Sequence, residues 1–259
     1  MSAYRFAVLG NPVSHSRSPA IHEVMLELSG FEGEYTTITA DEDVLATTIA
    51  DLREGKWHGL NVTMPLKRTA ARFADTLSPQ ARRSGSVNTL LIEKSAVYGD
   101  STDSTTFREL VARPELASCS SVLVLGAGGS ASAALAALDT QHHVYVAARR
   151  TAQAEELTSH LSGEPIAWGT AVAGALVINT TPIGMRGETL PDGILEVAGG
   201  LIDLPYGATA TPSVTTADSL DIPWVDGNEF LIRQALASFA MWTGRSVDYD
   251  QVVASLKKL

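Results

Sequence analysis

Residues 122–131 read VLVLGAGGSA, an apolar run that leads directly into a glycine-rich turn. The apolar run predicts a buried strand, and the turn Gly126-Ala127-Gly128-Gly129-Ser130-Ala131 has the spacing G-x-G-x-x-A. Gly126 permits a tight turn, Gly128 lets the backbone approach a pyrophosphate, and Ala131 lets the next helix pack closely on the strand. A pyrophosphate would bind at the N-terminus of that helix, where unpaired N–H groups and the helix dipole favour anions. The stretch therefore predicts a dinucleotide-binding domain; the alternative is a glycine-rich turn that binds nothing.

The end of the next predicted strand, at residues 144–148, indicates which dinucleotide binds. NAD-binding domains place an Asp or Glu there to hold the ribose 2′-hydroxyl. This chain has Arg149-Arg150-Thr151 instead, two guanidinium groups and a hydroxyl where a 2′-phosphate would lie. Because the guanidinium fork matches phosphate, the pattern favours NADP over NAD. The alternative is that both arginines are ordinary solvated surface charges.

Short apolar runs alternate with longer amphipathic segments along the chain, which is typical of an α/β protein with mostly parallel sheets. Ser18, followed by Pro19, is expected to cap the first helix. We predict strands at residues 4–9, 35–39, 58–63, 86–92, 121–125, 144–148, 175–179 and 201–204. We predict helices at residues 18–28, 41–53, 65–73, 79–83, 102–112, 129–138, 153–161, 228–242 and 249–256.

A break near residue 102 divides this pattern into two α/β domains. Residues 1–102 are expected to form a substrate-binding catalytic domain, and residues 103–235 a Rossmann domain that binds the dinucleotide. Residues 236–259 are predicted to be helices that return to the first domain. The predicted fold class is therefore α/β, with an N-terminal substrate domain and a C-terminal Rossmann NADP-binding domain.

The charge balance restricts the classes of partner. The 259 residues carry a formal net charge of −10, which opposes binding to nucleic acid or to an anionic membrane surface. No apolar run is long enough to predict a membrane-spanning helix, and the N-terminal segment is predicted to be a strand rather than a signal peptide. The single cysteine excludes an intrachain disulfide and fits a reducing compartment, although a secreted protein with few cysteines would look the same; we expect a cytoplasmic protein. The six histidines show no metal-ligand spacing, so no metal is expected.

Hydride transfer to a ketone requires a positioned acid or base, because the carbonyl oxygen must gain a proton. The candidate is Lys67, in the segment NVTMPLK at residues 61–67, which follows the end of a predicted strand. The chain has only five lysines, and this is an unusual place for a merely solubilising one. Asp103 is the natural carboxylate partner. The alternative is that Lys67 is a solvated helix residue.

The first loop, residues 11–19, is dense in hydroxyl groups. Hydroxyls held in a fixed loop can bind a carboxylate or a polyol. Helix capping alone would account for Ser18, but it would leave Ser14 and Ser16 unexplained. The residues considered so far thus predict an NADP-dependent dehydrogenase acting on a small polyhydroxylated acid.

Seven motifs in order resemble the shikimate dehydrogenase family: GNPVSHSRSPAIH, NVTMPLK, GSVNTL, STD, GAGGSASAAL, NTTPIGM and FLIRQALASFAMWTG. The resemblance extends from about residue 6 to residue 244, and several motifs in the right order are far more specific than one. It implies reversible NADPH-dependent reduction of 3-dehydroshikimate to shikimate, in aromatic amino-acid biosynthesis. It also implies the two-domain fold predicted above, and we expect a monomer or a homodimer.

The resemblance also implies roles for individual residues. Lys67 and Asp103 would be the catalytic pair, and Ser14 and Ser16 would hold the substrate carboxylate. The residues that would bind ring hydroxyls or line the substrate site are Asn61, Thr63, Asn88, Tyr206 and Gln234. The residues that would hold NADP are Gly126 to Ser130, Arg149, Arg150 and Thr151, with Leu204 and Gly227 near the nicotinamide. The chain departs from the family pattern at Ser101, Ser104, Arg149, Gly207-Ala208 and Phe230, the last of which is expected close to the nicotinamide.

Three other interpretations are possible. A quinate/shikimate dehydrogenase of the same family usually favours NAD, and Arg149 argues against it. A non-catalytic nucleotide-sensing regulator would be expected to lack Lys67 or Asp103, and both are present. A one-carbon folate dehydrogenase shares the two-domain layout, but the serine-rich first loop does not suit it.

Overall fold

The computed structural model describes residues 4–138 and 142–258. The chain divides into two compact units, one formed by residues 1–102 with 232–259 and the other by residues 103–231. Both are α/β, which confirms the predicted fold class.

The first unit contains a six-stranded mixed sheet. Its strands are β1 (Tyr4–Gly10), β2 (Gly33–Thr39), β3 (Gly59–Val62), β4 (Thr76–Leu77), β5 (Thr89–Glu93) and β6 (Ala96–Asp100), in the order β2-β1-β3-β5-β6-β4. Three of its five strand pairings are parallel, as expected, and β5 pairs antiparallel with both β3 and β6. The β5–β6 hairpin turns at Lys94 and Ser95, which have φ of 49° and 67°. Neither is a glycine or an asparagine, so the usual sequence signal for this turn is missing.

Four helices join these strands: α1 (Ser18–Ser29), α2 (Glu42–Arg53), α3 (Lys67–Phe73) and α4 (Pro79–Ser84). Asp41 caps α2, since its carboxylate accepts the Val44 amide at 2.9 Å. The expected capping by Ser18 is wrong, because Ser18 is itself the first residue of α1. The Ser16 hydroxyl instead accepts the Ser18 amide at 3.2 Å, and so provides a partner for one of the unpaired N–H groups of the first turn.

The second unit contains a six-stranded, fully parallel sheet. Its strands are β7 (Ser121–Leu125), β8 (His143–Ala147), β9 (Glu164–Ile166), β10 (Leu176–Asn179), β11 (Gly200–Asp203) and β12 (Trp224–Val225). Their spatial order is β12-β11-β10-β7-β8-β9, which read from the other edge is the 3-2-1-4-5-6 order of a dinucleotide-binding fold. Strand order reverses between β7 and β10, and ligands of such sheets bind at the carboxyl ends of the strands at this point.

The remaining helices are α5 (Thr102–Val111), α6 (Pro114–Ala117), α7 (Gly129–Ala137), α8 (Thr151–His160), α9 (Pro212–Ser219), α10 (Gly227–Thr243) and α11 (Tyr249–Leu256). Both sides of the second sheet are covered by apolar clusters, which explains why β7 and β10 are almost continuously apolar. In the part of the chain that the structure describes, no helix is long and apolar enough to cross a membrane.

The C-terminal part of α10 and all of α11 belong to the first unit. Trp242 donates from its indole nitrogen to the Leu90 carbonyl at 3.2 Å and stacks on Phe6 with ring centroids 5.0 Å apart. Its ring also fills the space over Gly59, where a Cβ would lie 2.4 Å from the indole. The first unit is thus completed by residues that are more than 130 positions away in the sequence.

Candidate active site

Two loops of the first unit are joined at the carboxyl ends of β1 and β3. The Asn11 amide donates to the Met64 carbonyl at 2.9 Å, and the Thr63 amide donates to the Leu9 carbonyl at 2.8 Å. A Cβ on Gly10 would lie 2.3 Å from the Thr63 methyl group, so a larger residue would force the two loops apart. The serine-rich first loop and the loop that leads to α3 therefore lie side by side.

The serines of the first loop differ in their surroundings. Ser14 is exposed, whereas Ser16 is half-buried and accepts the Ser18 amide. A hydroxyl that accepts one hydrogen bond still has its own hydrogen to donate. Ser16 is therefore held in place by the backbone and keeps a donor that could point at an anion.

Lys67 is the first residue of α3 and is half-buried. Its carbonyl accepts the Val87 amide at 3.0 Å, which fixes the start of α3 against the residues that precede β5. Asn88 is the next residue after Val87. The lysine is therefore attached to a folded frame on both sides, through α3 and through the segment before β5.

The Asn88 carboxamide connects three parts of the first unit. Its Oδ1 accepts the Thr102 amide at 2.8 Å, and its Nδ2 donates to the Thr102 hydroxyl at 2.8 Å and to Gln234 Oε1 at 3.2 Å. Asn88 and Gln234 are both buried. Asp103, buried with 3% exposure, is the next residue after Thr102 in α5. Asn88 thus fixes the backbone position from which Asp103 extends.

Asn61 has an internal set of hydrogen bonds. Its Oδ1 accepts the Tyr35 hydroxyl at 2.8 Å, and its Nδ2 donates to the Asn88 carbonyl at 3.0 Å and the Thr89 hydroxyl at 3.2 Å. The Asn61 side chain therefore holds the backbone of Asn88, and its expected role in lining the substrate site stays a prediction. Tyr35 was not predicted to take part, and nothing in its local sequence indicates that it would.

In the second unit the glycine turn after β7 has the predicted geometry. Gly126 has φ of +113°, and a Cβ there would lie 2.5 Å from the Thr180 hydroxyl. Gly128 is extended, immediately precedes α7, and would place a Cβ in open space. Ala131 lies in α7 and is fully buried. A pyrophosphate therefore fits over Gly128, at the N-terminus of α7 that begins with Gly129 and Ser130.

Arg149 and Arg150 follow β8 and are both exposed, as is Thr151, the first residue of α8. The Arg150 Nε donates to Gln153 Oε1 at 3.1 Å, which holds the guanidinium beside the first turn of α8. This is the end of the second strand of the fold, where the 2′ substituent of the adenosine ribose is read. Two guanidinium groups and a helix N-terminus suit a phosphate at this point.

The loop after β11 is tightly constrained. The Leu204 amide donates to the Asn179 carbonyl at 3.0 Å. A Cβ on Gly227 would lie 2.3 Å from the Leu204 carbonyl oxygen and 2.4 Å from that of Pro205, so only glycine fits. Tyr206, two residues after Leu204, is half-buried. Leu204 and Gly227, both predicted to border the nicotinamide, are therefore in direct backbone contact.

The Phe230 side chain does not border open space. It is buried in the second unit, and its ring packs on that of Phe107 with centroids 4.6 Å apart. The Phe230 side chain is therefore accommodated within the apolar core.

Each unit brings together its own set of predicted residues. The first unit places the residues expected to act on substrate around the joined loops and Asn88: Ser14, Ser16, Asn61, Thr63, Lys67, Asn88 and Gln234. The second unit places the residues expected to act on the cofactor, with Asp103 and Tyr206, on its own elements. Sequence reasoning missed three buried polar residues of the second unit, Asn179, Asp203 and Thr211; the only local signal was an acid at the end of an apolar strand.

The fold and these sites define a class, the oxidoreductases that combine a Rossmann dinucleotide-binding unit with a second α/β unit. A family model, described as the shikimate dehydrogenase substrate binding domain, matches residues 8–90. The chain is 34% identical to the shikimate dehydrogenase (NADP(+)) of Gluconobacter oxydans (strain 621H) over 260 residues, which cover 96% of this chain and 93% of that protein. This chain belongs to the shikimate dehydrogenase family.

Other relatives agree with this assignment. The chain is 34% identical to the shikimate dehydrogenase (NADP(+)) of Nitrosococcus oceani, over 98% of this chain and 95% of that protein. Its structure resembles that of shikimate 5-dehydrogenase from Thermus thermophilus in complex with NADP(H) and shikimate, with a TM-score of 0.85, 30% identity, and coverage of 98% and 99% of the two chains. The 5-ketofructose reductase of Gluconobacter sp. strain CHM43 shares the fold, with a TM-score of 0.85 at 23% identity over 100% of this chain and 99% of that one.

Proposed function

We propose that the chain catalyses the NADP-dependent, reversible reduction of 3-dehydroshikimate to shikimate. The observation that carries the proposal is the second unit's 3-2-1-4-5-6 sheet, with its glycine turn after β7 and its arginine pair after β8. Full-length relatives at 34% identity that are named shikimate dehydrogenase (NADP(+)) support the choice of substrate and cofactor. The enzyme would take part in aromatic amino-acid biosynthesis.

The cofactor site consists of backbone groups and two cations. Gly126 to Ser130 bind the pyrophosphate at the start of α7, and Arg149, Arg150 and Thr151 bind the 2′-phosphate. Leu204 and Gly227 border the nicotinamide. When bound, NADPH supplies the hydride. The open space over Gly128 is what supports this assignment, because a pyrophosphate needs close access to the backbone there.

Lys67 and Asp103 act as the acid/base pair. In the reduction, the carbonyl carbon gains a hydride and its oxygen becomes an alkoxide, to which the Lys67 ammonium donates a proton. In the oxidation, the pair takes the proton of the reacting hydroxyl as the hydride leaves the same carbon. The Val87 amide holds the backbone of Lys67, and Asn88 holds the backbone of Thr102, the residue before Asp103.

The remaining first-unit residues bind the substrate. Ser14 and Ser16 donate to its carboxylate, and Ser16 is the better oriented of the two because the Ser18 amide holds it. The residues that bind ring hydroxyls or line the site are Asn61, Thr63, Asn88, Tyr206 and Gln234, and Asn61 also supports Asn88. Hydroxyls and carboxamides suit a polyhydroxylated ring because each can donate and accept.

The proposal also covers the domain bounds, the compartment, the oligomeric state and the partners. Residues 1–102 form the substrate-binding catalytic domain, residues 103–235 the dinucleotide-binding domain, and residues 236–259 helices that pack on the first. The protein acts in the cytoplasm, as a monomer or a homodimer, without nucleic acid or membrane partners. Sedimentation analysis of the purified chain would distinguish the two oligomeric states.

One assay tests the reaction. Oxidation of shikimate and of quinate is followed at 340 nm with NADP⁺ and with NAD⁺, which gives four values of kcat/KM. We expect the shikimate and NADP⁺ pair to give the highest value. Preference for quinate with NAD⁺ would indicate a quinate/shikimate dehydrogenase, and NADPH binding without any turnover would indicate a nucleotide-sensing protein; either result would overturn the proposal.

A further inference from the structure

The loops that follow β10 and β11 are joined through one buried carboxylate, that of Asp203. Asp203 is the last residue of β11 and pairs in register with Asn179, the last residue of β10. Both strands end at the carboxyl edge of the parallel sheet, where ligands of this fold bind. We propose that Asp203 is a positioning residue, which fixes the two loops so that Leu204 borders the nicotinamide half of the cofactor and Tyr206 lines the substrate site.

Two hydrogen bonds connect Asp203 to different segments. Asn179 Nδ2 donates to Oδ1 at 2.7 Å, and the Thr211 hydroxyl donates to Oδ2 at 2.5 Å. All three side chains are buried, with exposures of 0% for Asn179 and Asp203 and 6% for Thr211. The carboxylate therefore joins a strand end on one side to the start of α9 on the other.

Asn179 transmits this anchoring into the loop after β10. Its Nδ2 also donates to the Ile183 carbonyl at 3.0 Å, and its Oδ1 accepts the Thr181 amide at 3.0 Å and the Thr181 hydroxyl at 2.7 Å. The Thr181 hydroxyl in turn accepts the Ile183 amide at 3.1 Å. Residues 180–183 are thus wrapped around one carboxamide whose orientation Asp203 sets.

Thr211 connects Asp203 to the loop after β11. Its hydroxyl accepts the Val214 amide at 3.2 Å and so caps α9 while it donates to Asp203. At Gly184, which has φ of +112°, a Cβ would lie 3.4 Å from Thr211 and 3.5 Å from Pro205, so the two loops touch each other. Residues 204–211 are therefore fixed at both ends, by the Leu204 amide on Asn179 and by Thr211 on Asp203.

The charge of Asp203 supports a functional role over a purely structural one. Burial raises the pKa of Asp203 to about 6 and the charge of Asp226 adds to this rise, whereas the hydrogen bonds from Thr211 and Asn179 lower it. Both described hydrogen-bond donors are neutral, so the carboxylate is buried without a cationic hydrogen-bond partner among the residues that the structure describes. Burying a charge in this way is costly, and ionisable groups of this kind concentrate at functional sites.

The proposal rests on the proposed function for its kinetic part, but its binding part can be tested separately. NADPH and 2′,5′-ADP share the adenosine and 2′-phosphate contacts, and only NADPH has a nicotinamide. Loosening the two loops should weaken the binding of NADPH and leave the binding of 2′,5′-ADP unaffected. Turnover should fall as well, because hydride transfer depends on the placement of the ring.

The experiment compares Asp203→Asn and Thr211→Val with Thr211→Ser, the matched control that keeps the hydroxyl. Asp203→Asn keeps the shape of the side chain but turns an acceptor into a donor. We expect it to raise the Kd for NADPH by about tenfold and to lower kcat by about 10- to 100-fold, with the Kd for 2′,5′-ADP within about twofold of wild type. Thr211→Val should act in the same direction, and Thr211→Ser should resemble wild type. The exchange Asn179→Asp with Asp203→Asn restores a donor–acceptor pair and should recover part of the NADPH affinity.

The outcomes separate the two proposals. Parallel weakening of NADPH and 2′,5′-ADP, together with a lower Tm, would show that Asp203 only stabilises the fold and would overturn its positioning role. Unchanged affinity and turnover in Asp203→Asn would overturn it too. A wild-type protein that does not oxidise shikimate would overturn the proposed function, and the ratio of the two affinities would still decide the role of Asp203.

Discussion

The substitution His22→Phe tests how the first unit uses a buried histidine. His22 is 1% exposed, stacks face to face on Tyr35 with ring centroids 4.1 Å apart, and lies 5.4 Å from the Trp242 ring. Among the described residues, neither ring nitrogen has a hydrogen-bond partner. Burial lowers the pKa of His22 from 6.5 to about 3, and the nearby Asn61 side chain opposes this only in part. The ring is therefore neutral in the folded protein at any pH well above about 3.

The sign and size of the effect follow from proton linkage. Because the folded pKa lies below the unfolded one, the unfolded chain takes up the proton first, and the protein loses stability as the pH falls below 6.5. At pH 5 the ratio of protonated to neutral histidine in the unfolded chain is about thirty to one. This protonation lowers the free energy of unfolding of the wild-type protein by about 2 kcal/mol relative to pH 8. The variant has no such proton to bind. At pH 8 the two proteins should differ by less than about 1.5 kcal/mol, since phenylalanine removes two unsatisfied nitrogens but adds volume.

Urea unfolding followed by circular dichroism measures both proteins at pH 8 and pH 5. From pH 8 to pH 5, we expect the free energy of unfolding of His22→Phe to rise by about 2 kcal/mol relative to that of wild type. The control is His160→Phe, which changes an exposed histidine at the end of α8 that stays in water in the folded protein. An equal stability difference at pH 8 and pH 5 for His22→Phe would refute the assignment of a buried, neutral imidazole.

Four further substitutions test the proposed sites. Lys67→Ala should lower kcat by about 10²- to 10⁴-fold and change KM little, because it removes a group that acts in the transition state; steady-state kinetics with an unchanged kcat would contradict this role. Arg150→Ala should weaken the binding of NADPH and barely affect the binding of NADH. Equal losses of affinity for both cofactors in fluorescence titrations would mean that Arg150 does not bind the 2′-phosphate. Gly128→Ala should leave Tm unchanged, since its Cβ meets open space, but should weaken NADPH by blocking the pyrophosphate; Gly227→Ala should lower Tm, because its Cβ would meet backbone oxygens at 2.3 Å and 2.4 Å. Equal Tm losses for both glycine variants would be the contrary result.

Much of the second unit could be predicted because its signals are local. The apolar run of β7, the glycine turn and the start of α7 form one continuous segment, and each residue's role depends on its immediate neighbours. The place of the arginine pair directly after a strand could also be predicted, and its role in reading the ribose stays a prediction. The short elements α6, β9, α9 and β12 were missed, since two to eight residues carry too little periodicity.

The first unit was harder to predict because its pairings are distant. Residues 86–92 were correctly recognised as containing a strand, but β6 and the hairpin turn were not predicted, since Lys94 and Ser95 adopt positive φ without the usual turn residues. The loops after β1 and β3 meet through contacts between residues more than 50 positions apart, such as Asn11 and Met64. No spacing along the chain indicates such a contact.

The sequence by itself determined the class of cofactor and the family, since phosphate recognition uses short segments in which backbone shape and charge are encoded together. Only the tertiary structure decided which polar side chains hold the site in place: Asn61 under Asn88, Ser16 on the Ser18 amide, and Asp203 between Asn179 and Thr211. The physical reason is that a buried hydrogen bond depends on geometry to within a few tenths of an ångström, whereas a sequence pattern specifies only which faces of its elements are apolar.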